Sequence, residues 1–236
     1  MPRAIFFDLD STIITWPVPY DTAWETLCRK YAPEADDINP ERLIEVFNEM
    51  RKWYWSDPER FRKGRLNLLE ARREIIRMSF TRLKLNDMTL ADKIADAYSA
   101  DRDETVALVP KAIETLKRLR NMGLKLAMIT NGGSEMQRPK IEKFKLTPYF
   151  DNILIEGEFG RGKPDEQVFL HTMQKLNVTA ADAWMVGDDL EFDIAPCRTL
   201  GIYSLWVDER GRGIPAKDGA RPDRIISSIA VIPDLL

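Results

Sequence analysis

Asp8 and Asp10 stand one residue apart in the stretch AIFFDLDSTI, residues 4–13, directly behind the apolar run Ala4-Ile5-Phe6-Phe7. Side chains at i and i+2 of a strand point to the same side, so a strand that keeps its geometry to the end crowds both acids at one spot. At about 5 Å and an effective dielectric of about 20, two such charges repel by roughly 3 kcal/mol. Solvent, protonation or a cation has to relieve that repulsion. Three later apolar runs are also followed by residues capable of chemistry. They are Thr130-Asn131-Gly132-Gly133, then Lys163 within Gly160-Arg161-Gly162-Lys163-Pro164, and then Gly187-Asp188-Asp189 with Asp193 beyond. Acids, a hydroxyl with backbone donors, and an ammonium together suit phosphoryl transfer through a carboxylate nucleophile. One Asp attacks phosphorus and becomes an acyl phosphate. The approach of a carboxylate to a phosphate dianion needs screening, and Mg²⁺ takes one or two carboxylates plus phosphate oxygens and waters. Lysine and hydroxyl donors then hold the equatorial oxygens. Each such preorganised donor is worth roughly 3–4 kcal/mol, about 10²–10³ in rate.

These residues need elements to position them. From about residue 105 onward short apolar runs of strand length recur at 125–130 (KLAMIT), 152–156 (NILIE), 183–187 (AWMVG) and 203–207 (YSLWV). Helical segments separate them: Pro110 to Gly123, with Pro at the first turn and Gly past the end, then about 134–145, and 164–176. Strands alternating with helices predict βαβ units and a mostly parallel sheet, with the opening strand as its fifth member. Ligands of such sheets bind outside the carboxyl ends of the strands, where the candidate residues fall. Residues 15–104 have a different texture. Trp24, Leu27, Cys28 and Tyr31 fall at i, i+3, i+4, i+7, as do Leu43, Val46, Phe47 and Met50. Asn39-Pro40 and Asp57-Pro58 are helix starts, and Leu90, Ile94, Ala97 and Tyr98 form a later stripe. No strand is predicted there. The expected organisation is a Rossmann-like α/β core over 1–14 and 105–236, interrupted by a smaller all-helical domain over 15–104.

The set Asp8-Leu9-Asp10-Ser11-Thr12, Thr130, Lys163 and Gly187-Asp188-Asp189 with Asp193 resembles the four motifs of the haloacid dehalogenase superfamily in order, strand-end placement and approximate spacing. The resemblance covers the core, and the helical insertion stands where that family's first type of cap domain does. It implies Asp8 as nucleophile and Asp10 as general acid, then base for the water that hydrolyses the phosphoaspartate. It implies Thr130, Asn131 and Lys163 as phosphate contacts. Mg²⁺ would be held by Asp8, the backbone carbonyl of Asp10, and Asp188, with either Asp189 or Asp193 as an outer or alternative ligand. Family members that cleave carbon–halogen bonds usually lack an acid where Asp10 stands, so Asp10 favours a phosphatase. Ser11 replaces the family's common Gly, a small-for-small change expected to be tolerated. Ala195-Pro196-Cys197 replaces a small, Gly-rich run.

Other patterns carry less. Gly157 to Lys163 fits the first seven positions of a P-loop, but Pro164 stands where a Ser or Thr hydroxyl is needed for Mg²⁺. The stretch Gly211 to Ala216 imitates a dinucleotide fingerprint and reads as a loop. Taken singly, Lys163 is a solvated helix-start lysine, Thr130 a turn former, and Asp188 and Asp189 loop acids or caps; the joint set gives them weight. His171, Cys28 and Cys197 read as packing residues. Between Arg51 and Arg77 basic residues outnumber acidic ones, with Trp53, Tyr54, Trp55 and Phe61 among them. Solvated faces over aromatic cores explain that better than a surface for an anionic substrate, for which Arg62, Lys63 and Arg65 would be the candidates.

Thirty-five basic against 38 acidic residues, a net charge of −3, give no pull toward nucleic acid or membrane. No apolar run is long enough to span a bilayer. Met1-Pro2-Arg3 leads straight into the first strand without a signal-peptide pattern, and two cysteines form no framework. The expectation is a cytoplasmic, Mg²⁺-dependent phosphatase of a small phosphorylated metabolite, a sugar phosphate or nucleoside monophosphate. The rivals are a capped sugar phosphomutase and a non-catalytic phosphoacceptor.

Overall fold

Ala4 to Phe7 are wholly buried because the strand they form, β1 (Ala4–Phe7), lies inside a sheet covered on both faces. A computed structural model describes residues 1–215 and 220–236, so Ala216 of the fingerprint-like stretch lies outside the described residues. After β1 comes the short strand β2 (Ile14–Thr15), then the helices α1 (Tyr20–Tyr31), α2 (Pro40–Trp55), α3 (Pro58–Leu66), α4 (Leu68–Leu83) and α5 (Met88–Thr105). The chain continues through β3 (Ala107–Leu108), α6 (Ala112–Asn121), β4 (Lys125–Thr130), α7 (Ser134–Lys143) and β5 (Asn152–Ile155). There follow α8 (Glu156–Phe159), α9 (Glu166–Leu176), β6 (Ala183–Gly187), α10 (Ala195–Leu200), β7 (Tyr203–Val207) and β8 (Arg224–Ile226), with a last 3-10 turn over Ile229–Asp234.

Six strands form one sheet in the order β5-β4-β1-β6-β7-β8, every pair parallel. This is the Rossmann-like α/β class that the alternation of patterns predicts. Phe7 pairs with Met128 on one side and Val186 on the other, so β1, β4 and β6 finish side by side. The chain leaves β1 toward opposite flanks there, which makes it the switch point where such sheets bind ligands. Contacts divide the chain into two compact units, 1–15 with 107–236, and 16–106. Within the second unit the described elements are helices, closed around Trp24, Phe47, Phe80 and Tyr98. Asn39, Asp57, Asn67 and Asp87 cap four of them with side-chain oxygens.

Several local readings are corrected. The sheet has a sixth strand, β8, whose three residues include two exposed ones and so show no apolar run. Thr15, placed at the start of the helical domain, pairs instead with Ala107 in an antiparallel ribbon of β2 and β3. Strand β5 stops at Ile155 because Glu156 turns inward to accept a hydrogen bond from Gly132 N at 2.9 Å. The helices begin and end inside their predicted spans. Asp165 caps α9 through Gln167 N, so that helix opens at Glu166 rather than Pro164. Among the described residues no helix is long and apolar enough to cross a membrane. Both cysteines are buried and unpaired, and His171 packs against the Phe159 ring.

Candidate active site

The backbone brings the acids into place before any side chain acts. Asp8 N donates to Val186 O at 2.9 Å, extending the sheet by one residue, and the chain then winds around the Leu9 carbonyl, which accepts from Thr12, Ile13 and Ile14. Ser11 sits at φ 61 in that turn, the left-handed region where glycine carries no Cβ penalty. The Ser-for-Gly difference noted in the sequence therefore has a backbone cost. At the end of β6, a Cβ on Gly187 would lie 2.1 Å from Asp193 Oδ2. Only glycine lets that carboxylate tuck against the strand end.

Lys163 is the centre of the arrangement. It is 2% exposed, and its Nζ donates to Asp8 Oδ1 and to Asp193 Oδ1, each at 2.6 Å. Its main chain is clamped by Asn131: Lys163 N donates to Asn131 Oδ1 at 2.7 Å, and Asn131 Nδ2 donates to Lys163 O at 2.8 Å. A Cβ on Gly162 would lie 2.6 Å from that Oδ1. The Asn131 side chain thus uses both ends of its amide on the lysine. That clamp fixes the Lys163 main chain beside the Thr130 turn.

Carboxylate oxygens of Asp8, Asp188 and Asp193 all lie within 4.8 Å of one another. Burial pushes the Asp8 carboxyl up to about 7, with the charges of Asp193 and Asp10 adding to it and Lys163 pulling back. Burial likewise pushes Asp188 up to about 8, helped by Asp8, Asp193 and Asp189. Asp193 is raised by burial against the pull of Lys163. Burial works against the Lys163 ammonium, but Asp193 and Asp8 outweigh it and hold the ammonium protonated above its usual range. Three carboxyls crowd one ammonium in a dry place, so their full ionisation would leave excess negative charge, which the raised values resist and a cation would relieve. An oxygen-rich site of that kind fits a hard dication such as Mg²⁺.

Asp189 and Asp193, left as alternatives by the sequence, have different surroundings. Asp189 accepts from Glu191 N and Phe192 N and caps the turn over Leu190–Ile194. Asp193, 1% exposed, belongs to the carboxylate cluster and also accepts from Asp189 N at 3.1 Å. Asp188 is steered through its carbonyl, which accepts from Trp206 Nε1 at 2.8 Å.

Asp10 and Thr130 meet on a second network. Gln137 Nε2 donates to Asp10 Oδ2 at 2.9 Å and to Thr130 Oγ1 at 2.6 Å, and Lys140 Nζ donates to Asp10 Oδ1 at 2.9 Å. Sequence reading missed Gln137, Lys140 and Glu156. On a polar helix the first two resemble solvated residues, and the available signal is only their i, i+3 spacing just after the Thr130 turn. Of the candidates in the helical unit, Lys63 pairs with Glu59 at 2.7 Å, and Arg65 lies over the Phe61 ring.

Comparison with known proteins adds a second line. A family model described as "haloacid dehalogenase-like hydrolase" matches residues 2–201. A ribulose-1,5-bisphosphate 5-phosphatase of Halopiger xanaduensis is 30% identical over 245 aligned residues, covering 100% of both chains. A phosphoserine phosphatase of Thermus thermophilus is 37% identical over 134 residues, about half of each chain (56% and 52%). Among solved structures, a 2-haloacid dehalogenase from Pseudomonas syringae superposes with a TM-score of 0.64 at 25% identity, covering 100% of this chain and 98% of that one.

Proposed function

The chain belongs to the haloacid dehalogenase-like hydrolase family and is a hydrolase of phosphomonoesters, and on that premise we propose a Mg²⁺-dependent phosphatase that works through a phosphoaspartate on Asp8. The observation that carries this reading is the Lys163 ammonium seated 2.6 Å from both Asp8 and Asp193 at the ends of the central strands. A buried lysine beside an acidic nucleophile offsets the charge of an arriving phosphate and steadies the nucleophile's direction. Asp8 Oδ attacks phosphorus. As the ester bond breaks, Asp10 gives its proton to the leaving oxygen, then takes one from the water that opens the acyl phosphate. Thr130 Oγ1 and Lys163 Nζ are the donors for the equatorial oxygens, with Asn131 holding the lysine in place. Asp8, the Asp10 carbonyl and Asp188 would hold Mg²⁺, with Asp193 orienting Lys163. When bound, Mg²⁺ supplies the charge screening that lets a carboxylate approach a phosphate.

The substrate is a small organic phosphate of sugar-phosphate or nucleoside-monophosphate type, and residues 16–106 take the role of a cap domain. The bisphosphate named for the full-length Halopiger relative puts sugar phosphates first in the panel to test. Phosphate release is to be measured for wild type, Asp8→Asn and Asp10→Asn, with Mg²⁺ and after chelation. Turnover should need Mg²⁺ and fall by more than about 10³ in Asp8→Asn. A stable label on Asp8 without release of phosphate would replace the phosphatase with a phosphoacceptor. Transfer to a second sugar hydroxyl would make it a phosphomutase.

A further inference from the structure

The proposed proton donor is less buried than Asp8 and Asp193. Asp10 has a side chain 36% exposed and is followed by Ser11 at φ 61, so neither packing nor a regular strand sets its direction. Two side chains from α7 do. Lys140 Nζ reaches both Asp10 oxygens, at 2.9 and 3.1 Å, and donates to Gln137 Oε1 at 2.7 Å. Gln137 Nε2 bridges Asp10 Oδ2 and Thr130 Oγ1. Residues three apart lie on one helix face, and here that face is buried: Gln137 is 2% and Lys140 8% exposed. An amide and an ammonium drawn inward on a helix of polar sequence need partners, because an unpaired buried polar group costs about 1–3 kcal/mol. Asp10 and Thr130 are among those partners.

We propose that Gln137 and Lys140 are positioning residues that aim the Asp10 carboxyl at the leaving-group oxygen and couple its placement to Thr130. This rests on the phosphatase reading above. Neither side chain exchanges a proton in the cycle. Asp10 loses one to the ester oxygen and regains one from water, while the amide and the ammonium keep theirs and hold the carboxyl through both steps.

The test exploits leaving groups. An alkyl phosphate needs its leaving oxygen protonated, whereas p-nitrophenyl phosphate releases a stable phenolate with little help. The two esters are to be compared by kcat/KM in wild type, Lys140→Met, Lys140→Arg and Gln137→Ala, each checked by thermal melting. General acid catalysis contributes about 10²–10⁴. Losing the aim of the acid should therefore cost Lys140→Met on the order of tenfold or more beyond any loss on p-nitrophenyl phosphate. Lys140→Arg should restore part of that difference. Gln137→Ala should show the same split, and it keeps the test standing if Lys140→Met does not fold. Equal losses on both esters, or no loss, in a wild type that turns both over would overturn the positioning role alone. A wild type that turns over neither ester would remove the phosphatase reading, and the inference with it.

Discussion

In the sheet-bearing unit one buried cation, Lys163, lies between two carboxylates. In the helical unit another, Arg72, 7% exposed, has no ion pair among the described residues. Its Nη1 donates to Ser99 Oγ at 3.0 Å, its Cζ stands 4.9 Å from the Tyr98 ring centroid, and its Nε has no hydrogen-bond partner. Burial pushes the guanidinium below its usual range, with Tyr98 and Tyr20 opposing, whereas the acids around Lys163 hold that ammonium above its own. One region thus crowds three acids around a paired cation at neighbouring strand ends. The other spreads the Arg72 charge over a ring face and a hydroxyl, with the Arg102 charge working against it. A desolvated cation–π contact is worth about 2 kcal/mol and offsets part of the cost of burying that charge. Burial of a charge alone therefore does not mark a site; convergence of several from different strands does.

The largest effect is expected from Lys163→Met. Removing one partner of a buried pair costs about 3–5 kcal/mol, because Asp8 and Asp193 stay buried without their ammonium. Phosphate release should fall by about 10²–10³ as well. Urea unfolding and turnover measure the two losses. Arg72→Met should be far milder, within about 2 kcal/mol of wild type, since methionine fills the same space and meets the Tyr98 ring through sulfur. If both variants lose equal stability, the contrast between the regions fails.

A smaller comparison uses the backbone. Ser11 and Lys84 are exposed and share φ 61, the first beside Asp10 and the second ending α4. Replacing either by glycine should stabilise by up to about 1 kcal/mol. Only Ser11→Gly should also change turnover, because it frees the link next to Asp10. A change in turnover from Lys84→Gly as well would break that distinction.

Much of the sheet was legible because its central strands are continuous apolar runs with acids or hydroxyls at their ends, so Asp8, Thr130 and Gly187 announce both an element and its terminus. The helical unit was legible from the stripes through Trp24 and Phe47. Strand β8 and the β2–β3 ribbon were not. They are two or three residues long, and their pairing joins segments whose local patterns say nothing of each other. The site was legible as a list of residues but not as a division of labour. That Asn131 clamps Lys163 through its amide is not visible in the sequence, and Lys140 reads as a solvated helix residue until it is found on Asp10.

By itself the amino-acid order determined the class of fold and the strand ends at which the candidate acids, hydroxyl and lysine stand, because strand and helix periods and strand termini are local properties. Only the tertiary structure decided that Asp193 rather than Asp189 shares the cluster with Asp8 and Asp188. It alone decided that Glu156 holds the Gly132 turn, and that Gln137 and Lys140 meet Asp10. Those pairings join residues far apart in the chain, and the distances and burial that give them their strength exist only once the strands have been laid side by side.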